Sequence, residues 1–252
     1  MKKIPVSPEE KYEIMINNVS HQGEGIGRVE NFAVFVPGAI KGEKVKVKII
    51  EIRKNFARGE LEEIILPSSN RVKPPCPVFN LCGGCHLQHI NYKRQLEMKK
   101  EIVENALDRM GNQNINVMPT IGMEIPWHYR NKGNFHLARE NKNIKLGFYQ
   151  SKSHDLVPVS QCLLFSHNVN ALIKYLEEEL TRQKITIYNH KTDKGNFRGV
   201  IIRESKYTGE IMIIFITREE KWDLEEDFLN NIVIAFPQVV SICQNINKNP
   251  KM

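Results

Sequence analysis

Hydrophobic and polar residues alternate in short segments through the first quarter of the chain. In EKVKVKII, the apolar residues Val45, Val47 and Ile49 face one way and the lysines face the other, which is the period of a half-buried strand. Similar segments, separated by Gly, Asn and Pro, are KYEIMINNV, ENFAVFVPGAI and RGELEEIIL. Short strands at this spacing predict a small closed or nearly closed β-barrel of the OB type over residues 1–68.

The glycine-rich stretch HQGEGIGR invites comparison with nucleotide-binding loops. A phosphate-binding loop opens a helix, because the N-terminal amides of that helix face the anion. Here the next residues, VENFAVFVP, have the composition of a strand. The stretch therefore predicts a glycine-rich hairpin.

The polarity pattern changes to a helical period after residue 91. Asn91 is a suitable N-cap and Gly111 follows the last turn. Apolar residues recur at helical spacing between them, at Leu96, Val103, Leu107 and Met110. We assign this helix to a domain over residues 93–252, separated from the barrel by a proline-containing loop at 69–92.

The remainder of the chain mixes strands and helices. HYRNKGNFHLARE and IKLGFYQ predict paired strands joined at Asn141–Asn143, and FRGVIIRES with EIMIIFITRE predicts a hairpin around Tyr207–Gly209. Residues 169–182 predict an amphipathic helix whose inward positions are Val169, Leu172, Ile173, Leu176 and Leu180. A final strand is expected within NIVIAFPQVVSICQN. The pattern is α+β with a mostly antiparallel sheet.

Composition adds a charge argument. Of 252 residues, 41% are hydrophobic and 26% charged, and the formal net charge is +7. This balance is typical of a globular protein, and the positive charge points either to a polyanionic partner or to a basic surface that aids solubility; charge alone does not decide between them. The start MKKIPVSPEEKYEIMI has no apolar signal segment, so we expect a cytoplasmic protein without membrane contact and, by default, a monomer.

The cysteines carry the most specific chemistry. Cys76, Cys82 and Cys85 lie within ten residues around Gly83–Gly84, and the rest of the chain holds only Cys162 and Cys243. Cytoplasmic thiols stay reduced, so clustered ones indicate a metal site rather than disulfides. Cys162 is the leading fourth ligand, and His86 or His89 could instead complete a Cys3His zinc site. Spacing alone does not decide between zinc and iron–sulfur.

The run PPCPVFNLCGGCHLQHINYKRQLEMKKEIV resembles the iron–sulfur segment of the SAM-dependent RNA uracil-C5 methyltransferases that carry an N-terminal TRAM domain. GEGIGRVENFAVFVPGAIKGEKVKVKI resembles a TRAM barrel, and YRNK at 129–132 and VPVSQC at 157–162 match the central domain of that family. The resemblance implies a [4Fe–4S] cluster held by Cys76, Cys82, Cys85 and Cys162, joining the loop at 76–85 to the segment at 162. It also implies that His86 and His89 are not ligands.

RNA is the partner that the resemblance implies, with rRNA expected first and tRNA as the alternative. We expect phosphate contacts from basic residues in the barrel and the central domain: Arg28, Lys54, Arg58, Arg130 and Lys132. Tyr129 and Phe135 could stack on an unpaired base, although packing in the core is the favoured role.

Members of this family continue into a Rossmann-like domain that binds SAM and carries the catalytic cysteine. After residue 120 the glycines are isolated, and Cys243 has no neighbouring base, which predicts a buried structural cysteine. We therefore expect the chain to lack the methyltransferase domain, to be inactive alone, and to use SAM only in a full-length or reassembled enzyme. A separate methyltransferase domain is then a possible partner. The alternative is a stand-alone RNA-binding or redox-sensing iron–sulfur protein.

Overall fold

The computed structural model describes residues 4–111, 115–151, 153–183, 185–222 and 224–249. Its internal contacts divide the chain into a first unit, residues 1–79 and 85–124, and a second unit, residues 80–84 and 125–252. The domain boundaries predicted at residues 68 and 92 stay predictions. In this division the helix after the cysteines belongs with the barrel, whereas we had grouped it with the later domain.

The first unit is built on a six-stranded sheet in the order β1-β5-β6-β4-β3-β2. Its strands are β1 (Lys11–Met15), β2 (Asn18–Val19), β3 (Gly25–Val29), β4 (Phe32–Val36), β5 (Lys44–Ile52) and β6 (Phe56–Leu66). All neighbours are antiparallel except β4 and β6. The glycine-rich stretch pairs β2 with β3, which confirms the predicted hairpin.

The alternation in β5 determines which side of the sheet is buried. Val45, Val47 and Ile49 are fully buried in the core of the unit, while the intervening lysines keep contact with solvent. The sheet curls because β1 approaches β3: a Cβ on Gly27 would lie 2.7 Å from the carbonyl oxygen of Met15. This close approach requires glycine and gives the barrel form predicted from the sequence.

Helix α1 (Tyr92–Gly111) completes the first unit. Its N-cap is Asn91, whose Oδ1 accepts a hydrogen bond from the backbone N–H of Arg94 at 2.8 Å, as predicted. The predicted inward face is wrong at Val103, which is 46% exposed, whereas Met98 is buried at 2%. The side chain of the predicted position Met110 lies outside the described residues.

The second unit contains another six-stranded sheet, in the order β12-β11-β10-β7-β8-β9. Its strands are β7 (Lys132–Glu140), β8 (Asn143–Tyr149), β9 (Leu156–Pro158), β10 (Phe197–Glu204), β11 (Ile211–Thr217) and β12 (Val239–Ile246). Only β11 and β12 are parallel, so the mostly antiparallel sheet is confirmed.

Two helices, α2 (His167–Arg182) and α3 (Glu226–Ala235), pack on the second sheet. Ser166 caps α2 by accepting a hydrogen bond from the N–H of Val169. The five inward positions predicted for this helix are all buried, in one cluster with sheet residues such as Phe135 and Phe215. The 3.6-residue period was sufficient here because one whole face of α2 is covered.

Two expectations for the end of the chain need correction. Asn231–Ala235, the first part of the segment expected to hold the last strand, lies in α3, and the strand begins only at Val239. Cys243, expected to be buried, is exposed, because it lies on the side of β12 away from the core. Within the described ranges, no helix is both long and apolar enough to cross a bilayer.

Candidate cysteine site and nucleic-acid interface

The cysteine loop is shaped by backbone contacts of its two glycines. Gly83 donates its N–H to the carbonyl of Tyr149 at 3.1 Å, and a Cβ on Gly83 would lie 2.9 Å from that same oxygen. Gly84 directs its N–H toward Cys82 Sγ at 3.4 Å. Any larger residue at position 83 would push the loop away from Tyr149, and the N–H of Gly84 favours a thiolate at Cys82.

Cys162 is held by the side chain of Asn170 on α2. The Oδ1 of Asn170 accepts from the N–H of Cys162 at 2.8 Å, and its Nδ2 donates to the carbonyl of Cys162 at 3.1 Å. Asn170 is 8% exposed. The backbone of Cys162 is therefore fixed by a buried amide with both of its hydrogen-bonding groups in use.

The five cysteines are all outside disulfides, and the four predicted ligands are half-buried. Cys76 and Cys85 fall in the first unit, and Cys82 and Cys162 in the second. Among the described residues, no group of three or more His, Cys, Asp or Glu side chains is placed to hold a metal ion. The four thiols have the chemistry of metal ligands, and their assignment to one site stays a prediction.

The two histidines weighed as zinc ligands differ sharply. His86 is exposed, whereas His89 is 3% exposed and neither ring nitrogen has a hydrogen-bond partner. The pKa of His89 is lowered from 6.5 to about 4, mainly by burial; the positive charge of Arg71 also lowers it, and the charge of Glu43 raises it by less. His89 is therefore neutral at physiological pH.

A buried ion pair that the sequence did not reveal lies beside His89. Glu43 is fully buried and receives two bonds from the Arg71 guanidinium, at 2.6 and 2.7 Å, together with the N–H groups of Ile40 and Ser68. Burial alone would raise the pKa of Glu43, but these donors outweigh it and lower the pKa. The carboxylate ties the β4–β5 turn to the segment after β6.

The basic residues of the barrel that we predicted to contact phosphates differ in their exposure to solvent. Arg28 is exposed and donates to the carbonyl of Asn31 at 2.7 Å, and Lys54 is exposed in the β5–β6 turn. Arg58 is only 23% exposed and pairs with Glu24 at 2.5 Å. A phosphate at Arg58 would have to displace a carboxylate that is itself mostly buried.

The lysine face of β5 is also paired. Lys44 bonds to Glu13 at 2.6 Å, and Lys48 bonds to Glu9. The hydrogen bond from Lys44, with its charge, lowers the pKa of Glu13. The neighbouring segment at 9–13 thus neutralises much of the basic face that the alternation in β5 suggested.

In the second unit the two predicted contacts again differ. Arg130 is half-buried, donates to the carbonyl of Lys132 and stacks over the Phe148 and Phe165 rings at 5.8 and 5.7 Å. Lys132 is exposed on β7. Phe135 is 1% exposed and belongs to the core, which is the role that we favoured for it over base stacking. Tyr129 is 50% exposed.

Comparison with known proteins identifies the barrel. The TRAM domain family matches residues 6–61, so the chain contains a TRAM domain. A Clostridium tetani protein, named as an uncharacterized RNA methyltransferase, is 41% identical over 98% of this chain and 54% of its own length. A similarly named Staphylococcus aureus protein is 38% identical over 91% of this chain and 51% of its own. The chain spans about half the length of the curated relatives it matches.

A solved structure is similar in fold to most of this chain. It is the tRNA (uracil-54, C5)-methyltransferase of Pyrococcus abyssi in complex with S-adenosyl-L-homocysteine. Its TM-score is 0.66 at 24% identity, over 94% of this chain and 52% of the Pyrococcus chain. At this identity the likeness establishes the fold alone.

These comparisons overturn one expectation. We expected the chain to lack a methyltransferase domain and to be only the RNA-recognition portion of an enzyme. That expectation is wrong: proteins named RNA methyltransferases match 98% of the chain, and a methyltransferase structure overlaps 94% of it. The findings do not support a missing or separate catalytic domain.

Proposed function

We propose that this protein acts in the SAM-dependent methylation of RNA at C5 of uracil. The observation that carries the proposal is the 41% identity, over 98% of the chain, to a protein named an RNA methyltransferase, in a chain that also contains a TRAM domain. The S-adenosyl-L-homocysteine of the Pyrococcus structure supports SAM as the methyl donor. SAM supplies an activated methyl group, and transfer to C5 requires a base that removes the C5 proton. We assign no described residue to SAM or to that base.

RNA binding is the part of this function to which described residues contribute. We propose phosphate contacts at Arg28, Lys54, Arg58, Arg130 and Lys132. The net charge of +7 supports them, and exposure favours Lys54 and Lys132 over the engaged Arg58 and Arg130. Each phosphate neutralised releases counterions, so the affinity for RNA falls as salt rises.

Methyl transfer is tested by incubating purified protein with labelled SAM and RNA transcripts of both rRNA and tRNA, followed by nucleoside analysis. We expect label in 5-methyluridine, and the RNA that acquires it identifies the substrate class. Label in a different nucleoside would refute the assignment to uracil C5. Absence of transfer to either RNA would refute the activity.

We further propose that Cys76, Cys82, Cys85 and Cys162 hold a [4Fe–4S] cluster. The support is the donor set: four half-buried thiols outside disulfides, with glycine backbone N–H groups beside Cys82. When bound, such a cluster supplies a redox-active centre linked to the chain through thiolates. Asn170, by fixing the backbone of Cys162, would orient the fourth thiolate.

Iron and sulfide analysis of anaerobically purified protein tests this assignment. We expect about four iron atoms per chain and broad visible absorbance, both lost in Cys162→Ala. Cys243→Ala is the matched control, because Cys243 is exposed and outside the proposed set, and it should retain the iron. Stoichiometric zinc without iron would overturn the cluster in favour of a zinc site. Unchanged iron in Cys162→Ala would remove Cys162 from the ligand set.

A further inference from the structure

Four aromatic rings form a continuous series in the second unit, which we call the ring strip: His136, Tyr149, His154 and His190. The rings of His136 and Tyr149 are stacked, with centroids 3.8 Å apart and planes within 15°. The Tyr149 ring meets His154 edge-on at 5.2 Å, and His154 meets His190 at 4.8 Å. The members come from β7, from the end of β8 and the turn after it, and from the loop before β10.

The inner end of the ring strip lies on the face of the sheet that the helices do not cover. In β7, Phe135 and Leu137 point into the core with α2, so His136 points to the opposite side. The residues directly opposite His136 are Gly147 on β8 and Gly199 on β10. Neither neighbour has a side chain beyond Cα, and the Tyr149 ring stacks on His136 beside them.

The outer end of the ring strip is open to solvent. His154 and His190 are exposed, whereas His136 and Tyr149 are half-buried. Burial lowers the pKa of His136, and the nearby His154 lowers it further. The half-buried rings of His136 and Tyr149 pack against the exposed part of the ring strip through the contact of Tyr149 with His154. An aromatic ligand has access to those exposed rings without any rearrangement of the core.

A guanidinium adds positive charge next to the rings. Arg198 lies 4.2 Å from the centroid of Tyr188 and donates to the carbonyls of Asn247 and Asn249. Arg198 directly precedes Gly199, the residue of β10 that is paired with His136 of the ring strip. Aromatic rings beside a fixed cation match the chemistry of a nucleotide, since the base stacks and the phosphate is anionic.

We propose that the ring strip stacks an unpaired base of the RNA substrate, with Arg198 near its phosphate. This inference rests on the proposed function, which makes RNA the partner. An unpaired base is the favoured ligand because the bases of a duplex are already stacked on each other and present only their edges. Exposed aromatic rings are one of the features with which proteins bind single-stranded RNA.

The test compares the protein with a variant carrying His154→Ala and His190→Ala. The probe is an unstructured RNA of about twelve nucleotides containing 2-aminopurine, whose fluorescence is quenched by stacking, beside the same sequence as a blunt duplex. We expect the variant to bind the single strand about ten-fold more weakly and to lose the quenching. The salt dependence of the affinity should stay unchanged, because stacking releases no counterions.

Two further variants keep the test specific. The double variant His154→Phe with His190→Phe retains an aromatic ring at both positions and should restore affinity and quenching. If the histidines acted through hydrogen bonds or a bound metal, phenylalanine could not replace them. Tyr207→Ala removes a 98% exposed aromatic residue of the same unit, outside the ring strip, and should change nothing.

The outcomes separate this proposal from the one on which it depends. Binding and quenching that survive in the double alanine variant, or a failure of the phenylalanine variant to restore them, would overturn the ring strip alone. Preferential binding of the duplex would also overturn it. Protein that binds neither probe at low salt would instead overturn RNA as the partner.

Discussion

The two sheets of this protein carry their polar residues in different ways. On the TRAM sheet, basic residues are paired within the unit: Lys44 with Glu13, Lys48 with Glu9 and Arg58 with Glu24. On the second sheet, the uncovered face carries the stacked rings of His136 and Tyr149, and exposed Lys132 lies on the same strand. The unit with the more basic strand pattern therefore presents less unpaired charge than its sequence suggests.

This difference bears on how nucleic-acid surfaces are inferred. Neighbouring antiparallel segments bring opposite charges together, and an ion pair at the surface leaves little net field. Aromatic rings carry no charge, so counting basic residues does not find them, although such rings can stack on unpaired bases. Exposure and pairing are better guides to RNA contacts in this chain than residue type.

The largest effect is expected from breaking the buried pair of the first unit. Glu43→Gln leaves Arg71 without its carboxylate, and we expect a loss of about 3 kcal/mol in the stability of that unit. Both tryptophans, Trp127 and Trp222, lie in the second unit, so amide hydrogen exchange at buried Val47 is the suitable measurement. Tryptophan fluorescence should report an unchanged second unit.

The exposed carboxylate Glu13 provides the control, since Glu13→Gln should leave exchange at Val47 unaltered.

The contribution of Glu43 to stability should also depend on pH, and its sign follows from the pKa. Because the pKa of Glu43 is lowered in the folded protein, its stabilising contribution is present above the ordinary value of 4.5 and is lost as the pH falls through the lowered value. If amide exchange at Val47 is equally fast in Glu43→Gln and in the unaltered protein, the pair of Glu43 with Arg71 does not stabilise the unit.

The next effect concerns His89. Its pKa of about 4 in the folded protein lies below the ordinary 6.5, so the unfolded chain takes up a proton first as the pH falls. The stability of the first unit should therefore be complete above pH 6.5 and should decline toward pH 4, by up to about 3 kcal/mol from this group. His89→Phe should flatten the exchange-derived stability between pH 6.5 and 5. An equal slope in both proteins would contradict the buried neutral imidazole.

A smaller effect is expected when exposed and paired basic residues are compared directly. Lys54→Ala should weaken RNA binding about three-fold and reduce the slope of log affinity against log salt by about one. Arg58→Ala should have less effect on that slope, because Arg58 already pairs with Glu24. If the two variants reduce the slope equally, Arg58 must break its pair with Glu24 to bind RNA. The difference in available charge between the two sheets would then be smaller than we infer.

The smallest effect is expected from breaking an exposed ion pair on β5. Lys48→Met removes the bond to Glu9, which is 70% exposed, and the charge and hydrogen bond of that glutamate raise the pKa of Lys48. Exposed pairs contribute little because water and salt screen them. We expect no measurable change in exchange at Val47. A large loss of protection would mean that the surface pairs stabilise the barrel.

Local patterns in the sequence determined most of the elements. The alternation in β5, the Asn91 cap, the hairpin around residues 207–209 and the inward face of α2 were predicted because each depends on residues close together in the chain. The TRAM barrel was recognised from short sequence motifs, and the candidate ligand set of four cysteines, which stays a prediction, followed from the resemblance to a family.

Only the tertiary structure decided which of these residues are buried, paired or stacked. Glu43 and Arg71 are 28 residues apart, and Arg58 and Glu24 are 34 apart, so no local pattern connects them. The predictions at Val103 and at Asn231–Ala235 were wrong because contacts with residues far away in the sequence decide which side of a helix is buried and which segment forms a strand. The ring strip joins three separate segments of the chain, and its rings meet because strand pairing and the loops that follow bring them together.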